Sequence, residues 1–243
     1  MKKTISFFIA MCVTGLLFSQ DLIVTQENDY FSKTKKEKDF TSYRIAVQGG
    51  FSYLLGKIDP KMDTILVNFS KKLKKGFNAT VFFSYYFTPY LGVGLNGSFF
   101  SSRATITGLT EILEDGTEGK KFDISEKMKF YYVAPHFAAR VPVMDDKGAL
   151  IMNASVGFAY HHDKTLTPFL IDIKKPTIAS GIDIGYDFNI GENFAIGVMV
   201  SMLVCVFKID EFTMQNQTVV LSGDEIMKSN MSRIDLTLGL RFR

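Results

Sequence analysis

The run "AYHHDK" places His161, His162 and Asp163 side by side, and an imidazole next to a carboxylate is the simplest device for moving a proton. With a serine in reach, the same groups could activate a hydroxyl for attack on an ester or amide. No complete constellation surrounds them, and they read more simply as solvated residues at a loop rim. The sequence also lacks CxxC, HExxH and GxxxxGK[ST], the spacings that hold zinc or cradle phosphate. The chain is therefore read as non-enzymatic, with no metal and no cofactor.

A second polar set is spread along the chain: Arg44, Gln48, His136, Arg140, Asp183, Asp187, Arg233, Asp235 and Arg241. Each lies in a stretch whose polar and apolar residues alternate, so its position depends on which face of a strand it occupies. In "YRIAVQGGFSYLL" one parity holds Tyr43, Ile45, Val47, Phe51, Tyr53 and Leu55, and the other holds Arg44, Ala46, Gln48, Gly50 and Ser52. The closing "RIDLTLGLRFR" repeats this, with Ile234, Leu236, Leu238, Leu240 and Phe242 against Arg233, Asp235 and Arg241. Six further segments between them do the same, beginning near Phe77, Leu91, Phe130, Leu150, Ser180 and Phe194. Phe82 is an exception to the alternation.

The connections alternate too. Short links at Thr88–Pro89, Met144–Gly148 and Gly191–Asn193 follow every second segment, and long ones at Gly56–Gly76, Ser102–Lys127, His162–Thr177 and Lys208–Asn230 follow the others. This is an up-and-down meander with one smooth end and one elaborate end. The run from Phe77 to Ser102 carries no charge over 26 residues. Pro89 in its middle and the aromatic and β-branched alternation make it a hairpin rather than a membrane helix. Pro135 cannot donate to a ladder, which predicts a bulge or a water-paired carbonyl beside it.

A soluble barrel would turn its polar set to water and crowd it with Lys and Glu. Here that set is mostly Gly, Ala, Ser, Asn and Thr, and the apolar set of the segments holds no charge. A midplane Lys or Arg on a lipid-facing strand costs about 2–4 kcal/mol, so a charge-free face is what lipid demands. The segments run 11 to 14 residues, enough for a tilted crossing that needs about 9–11. The prediction is all-β: an eight-stranded antiparallel up-and-down transmembrane β-barrel over residues 40–243. In a narrow lumen the nine polar residues must pair or meet water, so they are expected to form a filling network rather than a conducting path.

The first 19 residues read as an export signal: a basic Met1-Lys2-Lys3, an apolar stretch from Ile5 to Phe18, and Ser19 at a cleavage position. Residues 20–39 read as a polar periplasmic extension. Removal of the signal takes Cys12 and leaves Cys205 alone, a small packing residue with no disulfide partner. The full chain has a formal charge of only +3, which argues against nucleic acid.

Together the signal, the eight segments, the loop asymmetry and the ending "LTLGLRFR" resemble the small outer-membrane β-barrels of the OmpX, OmpA-barrel and OmpW type. The resemblance covers about residues 40–243 and implies the outer membrane of a diderm bacterium, periplasmic termini and long links facing outside. It also implies an insertion label at Leu238, Leu240 and Phe242, read by the barrel-insertion machinery, although Arg243 follows the expected aromatic end. No His-x-Ser-Asn signature of the lipid A deacylases is present.

The long links are partly apolar. Met62, Ile65, Leu66, Phe69 and Leu73 fall at helical spacing with lysines nearby, either a basic amphipathic helix touching lipid headgroups or lining a mouth, or a loop packed on its neighbours. Leu166, Phe169, Leu170 and Ile173 are similar. By likeness of fold, a structural role or passage of a small hydrophobic molecule leads, with adhesion or extracellular partner binding as the alternative and a lipid-A-modifying barrel enzyme as the third and least favoured reading.

Overall fold

A computed structural model describes residues 41–243 except 59–61, 113–117, 144–146, 216 and 224–225. The predicted signal and the 20–39 extension lie outside the described residues. Seven long strands come first: β1 (Tyr43–Leu54), β2 (Lys75–Tyr86), β3 (Leu91–Ile112), β4 (Glu118–Val143), β5 (Gly148–Leu166), β6 (Leu170–Asn189) and β7 (Phe194–Val204). Four short strands follow: β8 (Val206–Ile209), β9 (Glu211–Met214), β10 (Gln217–Val220) and β11 (Met227–Asn230). The final strand is β12 (Arg233–Phe242).

Strands β1 to β7 pair in sequence, all antiparallel, and β12 pairs with both β7 and β1. The ring of eight is therefore closed, and no edge is left for lipid to desolvate. The alternation decides which way the faces point. Phe51 and Phe158 are 80% and 78% exposed, while Arg44, Asp187 and Arg241 are at 0%. The apolar set covers the outside, and a band from Tyr43 to Tyr53, Tyr131 to Val141 and Leu150 to Tyr160 gives about the 11 residues per strand that a bilayer requires.

Three features differ from the sequence reading. The links expected at Ser102–Lys127 and His162–Thr177 are largely strand: β3 to β6 run 19 to 26 residues, and β5 turns into β6 through Thr167–Phe169. Cross-strand hydrogen bonding continues past the lipid band, so the sheet stands well clear of it at the long-loop end; thirteen residues of β4 lie beyond Tyr131, roughly 40 Å along the strand. Second, of the two outcomes expected beside Pro135, the bulge is absent. Pairing of β4 with β5 lapses between Val133↔Phe158 and His136↔Ser155 without a change of register. Gly157 lets the strands close there, since a Cβ on it would lie 2.3 Å from the Val133 carbonyl oxygen. Third, the amphipathic stretch does form a helix, α1 (Thr64–Leu73), but only Phe69 and Leu73 are buried. Leu66 is half-buried, and Met62 and Ile65 are exposed.

Candidate functional site

The lumen is filled at successive levels. Nearest the short turns, Asp187 of β6 accepts from Arg44 Nε at 2.8 Å and Nη2 at 3.1 Å, and from Arg241 Nε at 3.1 Å. Arg241 Nη2 donates to Gln48 Oε1 at 2.6 Å. Arg243 Nη2 lies 3.8 Å from Asp187 Oδ2, and its backbone N–H donates to Asn193 O. The residue beyond the aromatic end is thus the third guanidinium around one carboxylate. Room for this cluster comes from Gly197, where a Cβ would sit 2.6 Å from Asp187 Oδ1 and 2.8 Å from Arg241 Nε.

Arg140 is buried as expected but serves the turn instead of the cluster. It donates to Pro89 O and Thr41 O, each at 3.2 Å, and its guanidinium stacks 4.1 Å from the Tyr86 ring. His136 shares a hydrogen bond of 3.0 Å with Ser84 and meets the Phe82 ring edge-on. It stands apart from the ion pairs. Asp183 lies between Asn153 and Ser201 in cross-strand register and likewise joins no ion pair among the described residues.

Higher up, Arg233 and Asp235 are joined through Nε at 3.1 and 3.0 Å. Arg233 Nη2 donates to Ser98 Oγ at 2.8 Å, and Asn78 Nδ2 donates to Asp235 Oδ2 at 2.8 Å. The guanidinium of Arg233 also lies 5.0 Å from the Phe130 ring and 5.3 Å from that of Phe100. Above it the interior becomes apolar: Phe100, Phe130, Tyr132, Leu203, Cys205 and Phe207 form a buried cluster that Phe69 and Leu73 of α1 cap. Ser102 Oγ fixes the helix end by donating to Leu73 O at 2.6 Å. Sequence reasoning missed this apolar plug. Its inward rings stand beside outward ones, as Phe99 does beside Phe100 and Tyr131 beside Phe130 and Tyr132, so strict alternation hides them; Tyr132, Leu203 and Cys205 on the inward parity were the available signal, while the departure at Phe82 belongs to a separate buried cluster with Ala46, Ile151 and Met199.

The rim residues separate. On β5, alternation sends His161 and Asp163 inward and His162 outward. His161 is buried 5.2 Å from the Phe207 ring, and burial, with His162 adjacent, pushes its imidazole down to about 4. Asp163 is hydrogen-bonded to Glu126 of β4; burial, reinforced by the Glu126 charge, pushes it up to about 8, and burial also raises Glu126. His162 instead bonds Asp172 at 2.9 Å on the outer surface. The three neighbours in sequence therefore share no reacting point.

At the short-turn border Phe242 faces outward and meets Phe194 of β7 edge-on at 5.7 Å, with Leu238 and Leu240 on the same face. At the opposite border Phe99, Tyr131 and Tyr160 form a chain of rings across β3, β4 and β5.

Among solved structures, the chain is similar to a major outer membrane protein from Thermus thermophilus, with a TM-score of 0.50 and 12% identity over 83% of this chain and 99% of that one. It is also similar to Ail, the attachment invasion locus protein of Yersinia pestis, at TM-score 0.44 and 18% identity, covering 83% and 100% of the two chains. A third is the outer membrane protease OmpT from Escherichia coli, at TM-score 0.48 and 10% identity, covering 85% and 99%. No family model and no curated protein matches. The chain has the fold of the small outer-membrane β-barrels. One expectation is corrected: OmpT is a protease, so barrels of this kind can carry catalysis and the fold gives no ground for reading the chain as non-enzymatic.

Proposed function

We propose that the chain works as an outer-membrane surface barrel whose lumen is structural filling and whose long-loop end binds a partner or ligand outside the cell. The observation that carries this is the filled interior: fully buried Arg44, Asp187 and Arg241 at one level, Arg233 at the next, and Phe100, Phe130 and Tyr132 beyond. An eight-stranded barrel has just enough interior for side chains, and here they interdigitate along its length. The extended β3 to β6, the helix-capped mouth and the β9–β10 hairpin beside β6 offer the larger surface. This favours partner binding over axial passage of a small hydrophobic molecule.

In this reading residues 1–19 export the chain, residues 20–39 lie in the periplasm, and Leu238, Leu240 and Phe242 are read by the insertion machinery. Two measurements test it together. In planar bilayers the purified barrel is expected to give conductance equal to empty controls. Binding of the chain to host or bacterial surface material is expected to vanish when the ends of the β3–β4 and β5–β6 hairpins are trimmed. Steady ion conductance together with unchanged binding in the trimmed protein would overturn the proposal.

A further inference from the structure

Just beyond the lipid-facing band, the outer surface of β3 to β6 sets basic side chains directly opposite one another. In the first row past Tyr131 and Tyr160, Lys129 pairs with His162, and His162 with Lys174. In the next row Arg103 pairs with Lys127, and Lys127 with Lys164. Asp172, opposite Lys164, is the one acid in the two rows, and it is engaged by His162 at 2.9 Å and Lys174 at 3.2 Å. Among the described residues Arg103, Lys127, Lys129 and Lys164 have no ion pair.

Like charges directly opposite one another destabilise a sheet, and neighbouring strands are only about 4.8 Å apart, well inside a Debye length. Nothing in the barrel requires lysines there, because this surface faces away from both the lumen and the apolar plug. An anion lying over the rows removes the conflict. Its depth is set by the fold. The first row is two residues above the Tyr131 and Tyr160 rings, roughly 7 Å along the strand, where the headgroups of the surrounding leaflet begin.

We propose that this face binds the phosphates of the lipid headgroups around the long-loop end of the barrel. Lys127 and Lys164 bracket a phosphate as paired point charges, and Arg103 offers a two-pronged donor on its flank. The rows continue the lipid-facing band without a break, which favours a membrane lipid over a soluble polyanion. The inference is independent of what the mouth binds, since α1 and the plug take no part.

The test uses the full chain folded in neutral detergent and native mass spectrometry with diphosphorylated lipid A, its dephosphorylated form, inorganic phosphate and a heparin oligosaccharide. The diphosphorylated lipid is expected to be retained roughly tenfold better than the dephosphorylated one, and K127E/K164E is expected to abolish that preference. Folding of the variant is checked by heat-modifiable migration, and K127Q/K164Q replaces it if the reversal fails to fold. Equal retention of the two lipids, or an undiminished preference in the folded variant, overturns the proposal. So does retention of inorganic phosphate or heparin in preference to the lipid.

Discussion

Arg44 of β1 and Asp187 of β6 are bound to each other across the lumen by two hydrogen bonds of 2.8 and 3.1 Å, with both side chains shielded from solvent. The pair ties opposite walls of the ring together, and Arg241 and Arg243 close on the same carboxylate. Desolvating four charged groups is repaid only while the carboxylate is present.

Asp187→Asn is therefore expected to cost about 3–5 kcal/mol, the usual penalty for stranding buried charge. The midpoint of denaturant unfolding in lipid vesicles, followed by the gel shift of the heat-modifiable band, checks it. Adding Arg44→Met should recover part of the loss, because one stranded cation is then removed.

Gly197 gives a steric counterpart. A methyl group there meets Asp187 Oδ1 at 2.6 Å and Arg241 Nε at 2.8 Å, both held by their mutual ion pair. Gly197→Ala is expected to destabilise by about 1–3 kcal/mol, with a weaker effect in the Asp187→Asn background, where the ion pair no longer holds the site. The same unfolding assay measures both.

The cap over the mouth rests on two side chains. Phe69→Ala combined with Leu73→Ala removes the apolar face of α1 from the plug, at a cost of about 2–5 kcal/mol per truncation to the helix docking. The expected result is faster protease cleavage and amide exchange within 64–73, while the heat shift of the barrel is kept. Unchanged protection of the helix would show that other contacts hold it.

The Glu126–Asp163 pair in the extension predicts a local pH dependence. The folded Asp163 is pushed up to about 8, so between its unfolded value of 3.8 and about pH 8 the folded state binds the extra proton. Stability from this group is complete below the lower value and is lost as pH rises through the upper one. Amide exchange in the β4–β5 extension should accelerate from pH 5 to pH 9 beyond the intrinsic rate, and Asp163→Asn should flatten that excess.

Much of the architecture was legible because a strand's period of two is written directly in residue order. Arg44, Arg233, Asp235 and Arg241 were assignable to the lumen once Ile45, Ile234 and Leu240 were assigned to lipid. The same parity separates His161 and Asp163 from His162, which adjacency in sequence had grouped, but only because the structure carries β5 on to Leu166. Period says nothing about where a strand stops, so β3 to β6 ran on through segments that looked like loops.

Sequence alone determined the alternation, the closed ring it implies and the faces its charges occupy, because side-chain direction in a strand depends only on parity. Only the tertiary structure decided which charges meet. Around a closed barrel Asp187 lies near Arg44, 143 residues away in sequence, while Asp183, earlier on the same face of β6, falls between Asn153 and Ser201. It also decided that Phe69 and Leu73 cap an apolar plug and that Arg103, Lys127 and Lys164 share one outer row. Register and closure, which no local pattern encodes, bring those residues together.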